Sequence, residues 1–180
     1  MSITRLKARL PDHAEDLRVN LSTIMSSMWL KPQQVWGTAL AAAVASRSAE
    51  VVAAIAADAP LSAEAAFASR GAASIMGMNN IYYRFRHTMG DSSAYAVLPP
   101  RLRMHIIGWP GVAPVDFALW CLAASVITGC ASSVRTYEYA VRDRGGTAEQ
   151  VQGVVRIAAV IHAVALTLDS SPASQPRLPP

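Results

Sequence analysis

An all-α fold is the class this sequence predicts, and three observations predict it. Apolar residues recur at helical spacing along nearly the whole chain, helix-start and helix-stop residues stand at the edges of those stretches, and no segment alternates as a half-buried strand does. Alanine and other small residues are abundant in these stretches, which favours close helix approach and extensive helix–helix contact. The chain has 180 residues, 52% of them hydrophobic. That is enough for one domain with a core of its own and no staple.

The elements follow in order. "LPDHAEDLRVNLSTIM" sets Leu17, Leu21 and Ile24 at helical spacing behind an Asp12 cap and an acidic first turn. Pro32 opens a second helix, "PQQVWGTALAAAVAS", as proline does at a first helical position. Ser62, with Glu64 close behind, starts a third that runs through "AAFASRGAASIMGMNNIYYRF". Pro99 and Pro100 end an irregular loop, "GWPGVAP" is a second break, and at least two helices follow. The last, "TAEQVQGVVRIAAVIHAVALTL", takes Thr147 as its cap and carries Val151, Val154, Val155, Ala158, Ile161, His162 and Ala165 on one face. Gly145 and Gly146, after Arg142 and Arg144, read as a helix stop. The domain spans residues 1–169, and the Pro- and Ser-rich stretch 170–180 is expected to be a disordered tail.

Composition narrows the class of function. The formal charge is +4, but the sixteen Lys and Arg residues are scattered without a basic run, so no nucleic-acid partner is expected. "MSITRLKARL" is charged throughout and lacks an apolar signal core, which points to a cytoplasmic protein. Residues 117–134 carry no charge between Asp116 and Arg135, yet Ser125, Thr128, Gly129, Ser132 and Ser133 make one end polar. A core or subunit-interface helix fits better than a membrane span. Cys121 and Cys130 lie nine positions apart in what reads as one helical region, on roughly opposite faces and out of disulfide reach. His13, His87, His105 and His162 show no metal-ligand spacing with them, so neither a metal nor another cofactor is expected.

Several blocks resemble the alkylhydroperoxidase AhpD family, within the carboxymuconolactone decarboxylase-like superfamily. They are "LKARLPDHAEDLRVNLSTI", "WGTALAAAVASRS", "IMGMNNIYYRFR", "LRMHIIGWPG" and "FALWCLAASVITGC", and they cover most of the chain. The resemblance implies an AhpD-like helical bundle that assembles as a homotrimer. It also implies reduction of alkyl hydroperoxides by a Cys-x-x-Cys pair, served by a glutamate and two histidines and recharged by a dihydrolipoyl protein.

Position by position, most of that chemistry is missing here. The first cysteine of the family motif matches Cys130, but the second falls on Ser133, its neighbouring histidine on Ser132, the later histidine on Tyr137 and the glutamate on Ala118. Asp116 stands two residues before Ala118, on a different helix face, and cannot replace that glutamate. A serine hydroxyl neither attacks a peroxide near neutral pH nor closes a disulfide.

Three readings are open. In the first, the pocket is kept by a repurposed enzyme acting on a small organic molecule, lined by Cys130, Ser133 and Tyr137, with His162 entering from the last helix as an acid–base group and Glu138 and Tyr139 nearby. In the second, Cys130 is a weak single-thiol peroxidase, its thiolate favoured by a helix N-terminus and resolved by an external thiol. In the third, the assembly binds a ligand without catalysis, and Ser132 and Ser133 are helix caps only.

Overall fold

The computed structural model describes residues 2–170, and among these it contains helices and no strands. The helices are α1 (Ile3–Arg9), α2 (Glu15–Ile24, after a 3-10 turn at Asp12–Ala14), α3 (Pro32–Ala45), α4 (Ala49–Asp58), α5 (Ala63–Met89), the single turn α6 (His105–Gly108), α7 (Pro114–Thr128), α8 (Ala131–Asp143) and α9 (Ala148–Ser170). Three of them, α1, α4 and the single turn α6, go beyond the sequence reading, and α7, α8 and α9 follow the "GWPGVAP" break, where at least two helices were expected. α9 includes Ser170, the first residue of the expected tail. The remainder of that tail, 171–180, lies outside the described residues.

The local signals act where they stand. Pro32 and Pro114 open α3 and α7, where the missing N–H costs nothing. Ser62 Oγ accepts from the Ala65 N–H at 3.1 Å. Thr147 and Gln150 satisfy each other's backbone N–H groups at the start of α9, at 3.0 and 3.2 Å.

Packing is centred on α3 and α7, with α5 and α9 against both; α8 lies on α7 and α5. At Gly37 a Cβ would collide with the indole of the fully buried Trp120, so the α3–α7 approach requires glycine there. Of the uncharged run 117–134, read as a core or an interface helix, every residue from Phe117 to Ser125 is buried within the chain. The side chains left exposed are elsewhere, and include Phe67, Ile81, Phe85 and Met89 on α5 and Val97, Leu98 and Trp109 in the segment after it. By length and composition alone α9 is apolar enough to cross a membrane. Here it packs on α2, α3 and α7.

Candidate active site

The site begins with the end of α7. Gly129 adopts a left-handed conformation (φ 69°), and the Cys130 N–H donates to Ser125 O at 3.2 Å. This closes one helix and turns the chain directly into the next. Cys130 thereby becomes the N-cap residue of α8, its carbonyl accepting from the Val134 N–H at 2.9 Å. The expectation of one continuous helical region through both cysteines is corrected by this break, since Cys121 belongs to α7 and Cys130 heads α8. Both are free thiols.

α5 pins that turn. Asn80 Nδ2 donates to Thr128 Oγ1 at 2.6 Å and to Ser125 Oγ at 3.3 Å, and Arg84 Nη1 donates to Thr128 O at 3.0 Å. These bonds fill the carbonyl and hydroxyl acceptors at the end of α7 and hold the N-terminus of α8 in place.

At that N-terminus the Cys130 sulfur meets two hydroxyls, Ser132 Oγ at 3.3 Å and Ser133 Oγ at 3.3 Å. The two serines are therefore not the caps of α8; Cys130 occupies that position and they face its sulfur. Burial pushes the thiol pKa up, but hydrogen bonding with the Ser132 and Ser133 hydroxyls and with their backbone N–H groups outweighs it and holds the thiol below the usual cysteine range. Cys130 is 1% exposed.

Beyond the serines lies a cavity of about 330 Å³ lined by residues including Asn79, Tyr83, Met104, Ile107, Ser133 and Tyr137. A smaller one of about 180 Å³ shares Tyr83 and Ser132 with it and adds Arg86, His87 and Asp91. Asn79 is buried, and its Oδ1 has no partner. Such an acceptor costs on the order of 1–3 kcal/mol unless a ligand or water meets it.

Tyr137 is brought to the site, but its hydroxyl is engaged with Cys121. Burial first, and then the Cys121 thiol beside it, push the phenol pKa up; burial likewise pushes the Cys121 thiol far up against a smaller opposing effect of the phenol. Both groups are neutral around pH 7 and neither exchanges protons readily there. Ser133 is brought to Cys130. His162 is not: it is exposed, its Nδ1 lies 3.2 Å from Ser46 Oγ, and it lines a separate cavity that shares no residue with the one beside Cys130.

That correction has a geometric cause. The buried stripe of α9 is Val154, Ile157, Ala158, Ile161, Val164, Ala165 and Leu168. At about 100° per residue, His162 falls beside that stripe with Val151 and Val155, at its rim rather than within it. Glu138 pairs at 4.0 Å with Arg142, and Tyr139 is exposed, so neither enters the site. Ala118 is buried, and Asp116 accepts from Gln33 and Gln34 at 2.8 Å each, as a brace between α7 and α3.

Asn79, Tyr83, Met104 and Ile107 were missed as site residues. The signal was present, since they fall in the blocks "MGMNN", "IYYRFR" and "LRMHII" that carried the resemblance. Among the described residues no group of three or more His, Cys, Asp or Glu is placed to hold a metal ion.

An all-α chain with a thiol at the head of a helix, cradled by hydroxyls beside a small cavity, is the class that fold and site define. The model of the carboxymuconolactone decarboxylase family matches residues 95–175. Alkyl hydroperoxide reductase AhpD of Gluconacetobacter diazotrophicus is 53% identical over 96% of each chain. The proteins of that name from Rhodospirillum centenum and Methylocella silvestris are 51% and 47% identical, over 94% or more of every chain compared. The chain belongs to the AhpD family.

Proposed function

We propose that this AhpD-family member has left the dithiol peroxidase cycle and acts on a small organic molecule through the single thiol of Cys130. The observation that carries the reading is the placing of Ser133 Oγ at 3.3 Å from Cys130 Sγ, where a second thiol would have to stand to close a disulfide. The hydroxyls that fill that space lower the thiol pKa, so they support a thiolate and supply no electrons. The cavity beyond them is walled by Tyr83, Met104 and Ile107 and suits a largely apolar molecule. The names of the relatives favour an organic hydroperoxide within that class.

For a hydroperoxide the step balances with an external thiol. The Cys130 thiolate attacks the outer oxygen, the O–O bond breaks, sulfur is oxidised to the sulfenic acid, and the leaving alkoxide takes a proton to become the alcohol. One external thiol condenses with the sulfenic acid to give a mixed disulfide and water, and a second releases Cys130 as the thiol together with the external disulfide. His162 has no part in this reading, and Tyr137 serves as a wall.

A non-catalytic ligand-binding role is the second reading, favoured by the 1% exposure of Cys130. Trapping with dimedone separates the two. Cumene hydroperoxide followed by dimedone is expected to add one label at Cys130, absent in Cys130→Ala; an unlabelled wild type removes the thiol chemistry and leaves the binding role.

The assembly proposed is a homotrimer in which neighbouring subunits cover exposed apolar side chains such as Phe85, Met89, Val97 and Trp109. A cytoplasmic location, with no membrane or nucleic-acid partner, completes the reading.

A further inference from the structure

A further cavity, of about 490 Å³, lies where α3 and α7 end. Its lining combines Arg47, Arg84, His162 and Ser46 with apolar side chains that include Ile81 and Ile127, and no aspartate or glutamate. Among the described residues neither arginine has a carboxylate partner. Arg84 gives one N–H to Thr128 O at 3.0 Å, which fixes its guanidinium and leaves its other donors unassigned. Ser46 holds His162 through Nδ1 at 3.2 Å, so the imidazole is positioned as well.

Arg47 adds an independent observation. It follows the C-cap residue of α3 with φ 61°, in the left-handed region where glycine is the common residue. A long cationic side chain in that conformation is strained, and strain of this kind concentrates where a side chain has work to do. If these cations only offset the carbonyl ends of α3 and α7, a glycine at 47 would serve the backbone better.

We propose that this cavity is a binding site for an organic carboxylate with a short apolar tail. The guanidiniums of Arg47 and Arg84 and the His162–Ser46 pair meet the carboxylate, and the Ile81 and Ile127 side chains meet the tail. The cavity shares no lining residue with the one beside Cys130, and it gives His162 a role outside the thiol cavity.

Titration calorimetry of the full chain at low salt tests this, with octanoate, octanol and inorganic phosphate as probes. Saturable octanoate binding is expected, weakened at least tenfold by Arg47→Gly and by Arg84→Gln, with octanol and phosphate binding at least tenfold more weakly than octanoate. Arg84→Gln can disturb the end of α7, whereas Arg47→Gly relaxes the backbone and keeps the test readable. The proposal is overturned by an absence of saturable octanoate binding, by octanoate affinity unchanged in Arg47→Gly, or by octanol or phosphate binding as tightly as octanoate.

Discussion

Ser133 Oγ sits 3.3 Å from Cys130 Sγ, so the sulfur has a hydroxyl neighbour where a disulfide partner would need a sulfur. Because Ser132 Oγ is equally close, the thiol is held between two hydroxyls at a helix N-terminus. Removing either hydroxyl is expected to disfavour the thiolate. Ser132→Ala or Ser133→Ala should slow iodoacetamide alkylation of Cys130 at pH 7 by roughly 2- to 13-fold, the rate equivalent of a hydrogen bond worth about 0.5–1.5 kcal/mol. Rates unchanged in both variants would remove the hydroxyls from the account of the lowered thiol pKa.

Cys121 and Tyr137 predict an alkaline limit to stability. Burial raises both pKa values above their ordinary 9.0 and 10.0, so the folded chain holds protons that the unfolded chain releases. More protons bound in the folded state means that stability falls as pH rises. The loss begins near pH 9 with Cys121, steepens above pH 10 with Tyr137, and approaches about 1.4 kcal/mol per pH unit for each group. Urea unfolding between pH 7 and 11 measures this, and Cys121→Ala should flatten the first part of the decline.

Two backbone positions predict stability changes of opposite sign. Gly37→Ala drives a methyl into the Trp120 indole and should cost about 1–3 kcal/mol by overpacking. Arg47→Gly relaxes a left-handed residue and should stabilise by about 1 kcal/mol. Denaturant midpoints read both, and a stabilised Gly37→Ala or a destabilised Arg47→Gly would contradict the packing and backbone arguments respectively.

Oligomeric state gives a further check. Sedimentation in dilute solution should return a trimer, and Phe85→Glu or Trp109→Glu should shift it toward monomer if their exposed side chains lie in the contact. A clean monomer for the wild type would leave those apolar side chains to another partner.

Much of the fold was legible in the sequence because its punctuation is local. Pro32, Ser62, Pro114 and Thr147 stand at or beside the first residues of their helices. The helices passed over, α1, α4 and the single turn α6, are short, at seven, ten and four residues, and periodicity has few turns there in which to show itself. Within the site, the Cys130–Ser133 juxtaposition was legible through the resemblance, whose Cys-x-x-Cys motif falls on those two positions, and the helix start places them i,i+3. His162 was misplaced because alanine-rich α9 is apolar nearly all round, so its true buried face is set by α2, α3 and α7 rather than by its own pattern. The Tyr137–Cys121 contact joins different helices and has no local signal at all.

Peroxidase turnover recharged by a dihydrolipoyl reductant tests the central claim most directly. With cumene hydroperoxide as substrate and dihydrolipoamide as reductant, the wild type should turn over far more slowly than a relative carrying an intact Cys-x-x-Cys pair, because Ser133 cannot form the intramolecular disulfide and dihydrolipoamide can recharge Cys130 only as an external thiol. Dihydrolipoyl-dependent turnover comparable with that of a relative carrying an intact Cys-x-x-Cys pair would contradict the account.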